Sequence, residues 1–217
     1  MKTLVERSHR FLERPLGSAP RRLLLAAALL LLSAALLPLW KMTMTTTQHP
    51  EGLRLNIYSY KLEGGNGGRD VEEINRVNQS IGMRGLTPSE ITEFKWMPFV
   101  AGALGLLFLR AMLLGKMGTL IDLFVLYAYF GLFSFWSFAY KLHSYGHTLS
   151  AAAPVKVDPF MPPLFGHERI AAVDVSSSPA AGSYALAAAA VLLAAAILLS
   201  WREGQADDAQ EARIVAG

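Results

Sequence analysis

Hydrophobic residues in this chain are concentrated in four long runs, which is unusual for a soluble core. The runs cover 23–40, 96–114, 119–140 and 184–200. A helix rises about 1.5 Å per residue and a hydrocarbon core is about 30 Å thick, so each run is about long enough to cross a bilayer. We therefore predict an all-α membrane protein with four transmembrane helices.

The polar segment 41–95, between the first two runs, carries two different periodicities. In LRLNIYSYKL, Leu53, Leu55 and Ile57 alternate with polar or aromatic neighbours, which predicts a half-buried strand within 53–62. RDVEEINRVNQSIGM has helical spacing of its apolar residues, with Asp70 as a candidate cap, and LTPSEITEFKW favours a second short helix. We predict that this segment folds as a small α+β platform outside the membrane.

The segment 141–183 is rich in proline, glycine and serine and shows few signals of regular elements. Proline fixes the backbone of VDPFMPPLFG in an extended form. Its apolar side chains favour burial against a surface. We interpret the segment as a rigid proline-rich arm, with Phe160, Met161 and Phe165 as candidate residues for docking a partner.

Basic residues near the chain start predict the orientation. Segment 1–22 is a basic tail with two acidic residues, Glu6 and Glu13, and six basic ones, Lys2, Arg7, Arg10, Arg14, Arg21 and Arg22. Positive charges beside a first span keep it on the cytoplasmic side. Both tails, 1–22 and 201–217, are then expected inside and segments 41–95 and 141–183 outside. A cleaved signal peptide is the alternative interpretation of the first run.

Two charged residues lie within the spans, Arg110 in the second and Asp122 in the third. Charges in a bilayer are costly and are usually paired or placed near an interface. The turn at 115–118 makes the two helices antiparallel neighbours, so we predict an ion pair between Arg110 and Asp122, or snorkelling of each. A structural role is favoured over a proton path.

Composition excludes several classes of protein. Of 217 residues, 53% are hydrophobic and 17% charged, which is too apolar for an ordinary soluble domain. Cysteine is absent, so disulfides, thiolate metal sites, iron–sulfur clusters and covalently attached haem are excluded. The four runs contain no histidine, which excludes haem held by two imidazoles within the bilayer. No Ser/His/Asp, Cys/His or paired-carboxylate motif is recognisable from the spacing of these residues, so we expect no enzyme activity. We also expect no nucleic-acid partner.

The third and fourth runs differ in kind. The third is dense in aromatic residues, which favours aromatic packing and an interfacial belt, with a quinone or lipid pocket as the alternative. The fourth has pairs of alanines four residues apart, such as Ala185 and Ala189, and this spacing permits close helix approach. We therefore expect the fourth helix to pack against a neighbour.

Histidine and methionine in the two outer segments raise the possibility of a metal. His143 and His147 are four residues apart, so they share a face if the third helix continues through Gly146. Imidazole and thioether together suit copper. Other such residues in these segments are His49, His167, Met42, Met44, Met83 and Met161. Interfacial histidines making ordinary hydrogen bonds are the alternative.

Four stretches in order, PLW, HPEGL, INRVNQSIGM and GHTLSAAAPVKVDPFMPPLFG, resemble the NosB-like membrane proteins associated with bacterial nitrous oxide reductase gene clusters. The resemblance covers 38 to about 180. It departs from the pattern at His49, where relatives have Tyr or a similar residue, and at Gln79-Ser80, where they have His-Tyr, whereas His147 fits the pattern of a Gly-His pair. It implies a multi-pass protein of the bacterial inner membrane that serves an extracytoplasmic copper enzyme or its maturation. The rival interpretation is a structural subunit of a respiratory electron-transfer complex.

Overall fold

The computed structural model describes residues 9 and 11–216. Its main helices are α1 (Ser18–Leu36), α2 (Arg69–Ser80), α3 (Glu93–Leu114), α4 (Met117–His147) and α5 (Ala181–Ala216), with short 3₁₀ turns at Asn66–Gly68 and Pro88–Glu90. The strands are β1 (Trp40–Thr45), β2 (Leu53–Ile57), β3 (Leu62–Gly64), β4 (Gly166–Ile170) and β5 (Val173–Pro179). Helices α1, α3, α4 and α5 are long and apolar enough to cross a membrane, which confirms the prediction of four such helices.

The chain divides into two compact units. We call them the helical unit, comprising 1–33, 101–131 and 185–217, and the sheet unit, comprising 34–100 and 132–184. Helices α3 and α4 contribute residues to both. The platform predicted outside the membrane falls in the sheet unit.

A five-stranded sheet is the main correction to the predicted fold class. Its order is β3-β2-β1-β5-β4, and all neighbouring strands are antiparallel. The all-α prediction is therefore wrong in this respect, because the α+β part includes strands from both polar segments. Only β2 was anticipated, within 53–62.

Strand β1 begins where the first span was predicted to end. Helix α1 stops at Leu36, and Trp40, Met42 and Met44 are buried while Lys41 is exposed, which is the alternation of a strand with one face inside. Trp40 is therefore a core residue of the sheet, and its indole N–H donates to Ser177 Oγ at 2.8 Å. The first span therefore runs from Ser18 to Leu36, shifted toward the N-terminus from the predicted 23–40.

The predicted arm at 141–183 contains regular structure at both ends. Helix α4 continues to His147, seven residues beyond the predicted limit, and β4 and β5 form an antiparallel hairpin. Val173 and Val175 in β5 point into the core, and polar residues alternate with them. The irregular arm is thus limited to 148–165.

Helix α2 covers the buried face of the sheet. Its Ile74 has no exposed surface and belongs to one cluster with β1, β2, β4 and β5 side chains. Asp70 lies in the first turn of the helix and does not cap it as predicted. Its carboxylate accepts the N–H of Arg54 in β2 at 2.8 Å and the amide of Asn66 at 2.8 Å, so it ties the helix to the sheet.

The short loop Ser59–Lys61 lies between Tyr58, which directly follows β2, and the first residue of β3. The hydroxyl of Tyr58 donates to Glu63 at 2.8 Å, and Lys61 Nζ lies 3.0 Å from the other oxygen of the same carboxylate. The Tyr58 hydroxyl, followed by Lys61, lowers the pKa of Glu63. The carboxylate is therefore held in its charged form.

In the helical unit, the segment 11–17 packs on the turn between α3 and α4. Leu16 N–H donates to Gly115 O, Met117 N–H donates to Arg14 O, and Lys116 forms an ion pair with Glu13. Part of the predicted basic tail is therefore ordered. Ala189 and Leu193 of α5 are fully buried, as expected for a helix that packs against a neighbour.

Candidate functional site

The last turn of α4 brings His143 and His147 together. Because the helix continues through Gly146, residues four apart stand on one face, and the two imidazole rings stack with centroids 3.7 Å apart and an angle of 13°. His147 Nδ1 lies 2.9 Å from the carbonyl oxygen of His143. Both side chains are exposed, so the pair is open to solvent.

The other candidate metal ligands are dispersed. His49 lies in the β1–β2 turn between Glu51 and Glu73, with ring nitrogens 3.7 and 3.9 Å from their carboxylates, and His167 is exposed on β4. Met42, Met44 and Met83 are buried among apolar side chains, so their sulfur atoms pack the core. Within the described part of the chain, no group of three or more His, Cys, Asp or Glu residues is arranged to hold a metal ion.

The residues predicted to dock a partner are largely engaged within the chain. Phe160 packs against both buried clusters of the sheet unit. The ring of Phe165 lies 5.2 Å from Trp40 and 6.1 Å from Phe135, although more than half of its surface is exposed. Met161 is half-buried. Phe160 is therefore partly buried against its own chain, and Phe165 is the most exposed of the three.

The arm is clamped at three points. Ser150 N–H donates to Gly82 O at 2.8 Å, Val155 N–H to Ser80 O at 3.0 Å, and Phe160 N–H to Gly146 O at 3.2 Å. Gly82 has a φ of 82°, a conformation that glycine adopts without a steric penalty. The carbonyl of Phe160 also lies directly against Gly146, where a side chain would stand. The end of α2, the arm and the end of α4 thus form one continuous structure.

The predicted pair of charges within the spans is not formed. Among the residues that the structure describes, no ion pair joins Arg110 and Asp122, and both side chains are exposed. The ion pair between these helices lies at their other ends. Glu93 at the start of α3 accepts from Ser137 at 2.8 Å and lies 3.3 Å from Lys141 Nζ. Sequence reasoning missed it because the two residues are far apart in the chain.

A ladder of aromatic rings begins at Trp96 of α3 and continues along the exposed face of α4. Successive ring centroids are 5.5, 5.9 and 5.7 Å apart from Trp96 through Phe133 and Trp136 to Tyr140. The last three are more than half exposed. This is the arrangement expected for an interfacial aromatic belt.

The opposite face of the sheet from α2 is polar across all five strands. We call it the polar sheet face. It comprises Lys41, Thr43, Thr45, Arg54, Asn56, Glu63, His167, Arg169, Asp174, Ser176 and Ser178. Charges of both signs stand on it, with Arg169 and Asp174 directly opposite each other in register. Neither Phe160 nor Met161 belongs to it.

Comparisons of the chain with family models, with curated proteins and with solved structures found no match. The resemblance to NosB-like proteins therefore depends on the four quoted stretches alone.

Proposed function

We propose that the chain is an accessory protein of the bacterial inner membrane that supports the maturation, copper supply or electron supply of an extracytoplasmic copper reductase acting on nitrous oxide. The location of the four resembling stretches in the structure is the main support for this proposal. All four fall in the sheet unit, although together they extend over residues 38–166 of the sequence. The resemblance therefore concerns one compact folded body.

The contacts between these stretches make that body coherent. The stretch ending in Gly82 and Met83 accepts hydrogen bonds from the arm, and Phe160 of the arm packs against a cluster that includes Met83 and Tyr145. Trp40 of PLW and Leu53 of HPEGL share the main cluster with Ile74 of α2. Each of the four stretches therefore contacts another of them, as expected if the resemblance reflects a shared folded unit.

The polar sheet face is the surface that we assign to the partner protein. It is broad and carries both signs of charge. Because the other face of the same strands packs on a buried core, we take the polar sheet face to be rigid. Rigid polar surfaces with paired charges favour transient protein contacts, because complementary charges steer association without a large apolar area. Transient contact is what an accessory factor requires.

Deletion of the gene in a host that reduces nitrous oxide tests the function. We expect the reductase polypeptide at normal abundance with lowered copper content or lowered activity, restored by the wild-type gene. The double variant Lys41→Glu/Arg54→Glu should reproduce the defect at normal abundance of this chain. Arg76→Glu is the matched control, because Arg76 is 70% exposed on α2 away from the polar sheet face. A deletion strain with a normally loaded and active reductase would contradict the proposal.

A structural subunit of a respiratory electron-transfer complex is the second candidate. The observation that favours it is the exposed aromatic ladder on α4, which would pack well against another membrane subunit. A subunit remains in the purified complex at constant ratio with haem-bearing partners, whereas an accessory factor is absent from the mature reductase. Quantitative composition of each purified complex separates the two.

Reporter fusions test the orientation on which both candidates depend. With both tails inside, fusions after residues 70 and 165 should report outside and a fusion after residue 205 should report inside. An outside signal at the last position would show that one span is miscounted or that the first is cleaved.

A further inference from the structure

We propose that His143 and His147 form an exchangeable two-ligand site for a late first-row divalent metal ion such as Cu²⁺, Ni²⁺ or Zn²⁺. The inference concerns this chain alone and does not depend on the proposed function. Regular α-helical backbone through Gly146 places residues four apart on one face, which is the spacing that lets two imidazoles reach a common ion.

The spacing of the two rings is close to what such an ion needs. Metal–nitrogen bonds of about 2.0–2.1 Å place two ligand nitrogens of one ion about 3 Å apart. The ring centroids are 3.7 Å apart, which suits one ion, but the rings are stacked, so their in-plane lone pairs lie in nearly parallel planes. Each ring therefore has to turn about its side-chain torsions until both lone pairs point at the common ion. Neither ring has to leave the helix face on which it already lies.

The hydrogen bond of His147 selects the nitrogen that is available. Its Nδ1 lies 2.9 Å from the carbonyl oxygen of His143, and only an N–H can pair with a carbonyl. The proton is therefore on Nδ1, and the lone pair of Nε2 is free for a metal. A backbone carbonyl that holds one imidazole nitrogen is the usual partner of a metal-ligating histidine.

The surroundings keep the site in register. Phe160 N–H donates to Gly146 O, and Tyr145 is buried, so the last turn of α4 is held by contacts with the arm and with the core. The nearby cations are engaged elsewhere, because Lys141 pairs with Glu93 and Arg84 lies against Ser144 and the ring of Tyr145. A bound ion would keep open coordination positions, since the described residues supply two protein ligands here, and this favours exchange over permanent storage.

Metal titration of tag-free purified protein in detergent tests the site. We expect one ion per chain, with affinity for Cu²⁺ above that for Ni²⁺ or Zn²⁺ and no binding of Mg²⁺. The Cu²⁺ complex should show nitrogen hyperfine coupling from two imidazoles in its electron paramagnetic resonance spectrum. His143→Gln and His147→Gln should each weaken metal binding by about tenfold or more. Removing a residue that only hydrogen-bonds to a metal ligand already costs about that much.

Two controls keep the test decisive. His167→Gln removes an exposed histidine of the same unit and should leave binding unchanged. The variant His147→Gln with Thr148→His keeps the number of histidines but moves one off the shared face, and should bind as weakly as His147→Gln alone. Far-ultraviolet circular dichroism identifies any variant that has lost its helix. Undiminished binding in the folded double variant His143→Gln/His147→Gln would overturn the proposal, as would loss of binding in His167→Gln alone.

Discussion

The contact between the arm and Gly146 makes a quantitative prediction for the substitution Gly146→Ala. A methyl group at this position would collide with the carbonyl oxygen of Phe160 and would lie 2.9 Å from its carbon and 3.1 Å from Cδ of Pro162. These are backbone atoms and a rigid ring, so no side-chain rotation relieves the collision. The arm itself has to move away from α4.

The expected magnitude follows from opposing terms. Overpacking of this kind costs about 1–3 kcal/mol. Displacing the arm also breaks the Phe160 to Gly146 hydrogen bond, which is worth about 1 kcal/mol. Alanine favours a helix over glycine by about 1 kcal/mol, which offsets part of the loss. We therefore expect the free energy of unfolding to fall by about 1–3 kcal/mol.

Gly131→Ala is the matched control, because Gly131 lies in the same helix and a methyl group there would meet nothing within 4 Å. Only the helix-propensity term applies, so this variant should be as stable as the wild type or more stable by up to about 1 kcal/mol. Thermal and denaturant unfolding in one detergent measures both variants. Equal stability of the two would refute the view that the arm is clamped on α4, whatever the sign of their common change.

Two further predictions concern charged groups. A double-mutant cycle for Glu93→Gln and Lys141→Met should show a coupling energy of about 1 kcal/mol or more, because the Glu93 carboxylate is largely shielded from water. The effects of Arg110→Ala and Asp122→Ala should instead be additive, because these two side chains do not meet. Insertion yield and stability measure both pairs, and the reverse pattern would contradict the pairing. Glu63 has a lowered pKa, so its contribution to stability is present above the ordinary carboxyl pKa and is lost as pH falls through the lowered value. Glu63→Gln should flatten that acidic part of the stability profile, and an unchanged profile would mean that the carboxylate is not held by its neighbours.

The four apolar helices were predictable because length and hydrophobicity are local properties of the sequence. Their ends were not, because the ends depend on distant contacts. Trp40 was assigned to the first span, yet it is buried by β5 and by aromatic residues of α4. The alternation of Trp40, Met42 and Met44 was a signal for β1. It was obscured because the strand follows almost directly on an apolar run.

Strands β4 and β5 carried a weaker signal. Val173 and Val175 alternate with polar residues over only a few positions, in a segment rich in serine. What makes β5 a strand is its pairing with β1 on one side and β4 on the other. No pattern within the segment reveals a partner so far away in the sequence.

In the candidate site, too, local patterns were predictable from the sequence and distant contacts were not. The approach of His143 and His147 followed from helical spacing, since that is a local rule. The fate of Phe160 did not, because an apolar residue in a proline-rich segment looks the same whether it is buried against its own chain or against another protein. Likewise, proximity across a short turn suggested Arg110 and Asp122 as a pair, although antiparallel helices also meet at their far ends, where Glu93 and Lys141 lie.

The place of β1 and β5 in the sheet has a consequence for the order of biosynthesis. Counted from the β4 edge, β5 is the second strand and β1 is the third. Strand β1 follows the first apolar helix, and β5 precedes the last. Trp40 and its hydrogen-bond partner Ser177 are 137 residues apart in sequence. During translation β1, β2 and β3 are made early, but β1 has one unpaired edge until β5 emerges. Sheet closure is therefore a late event, and a ribosome stalled before residue 173 should leave a chain with an open strand edge that quality-control proteases and chaperones recognise.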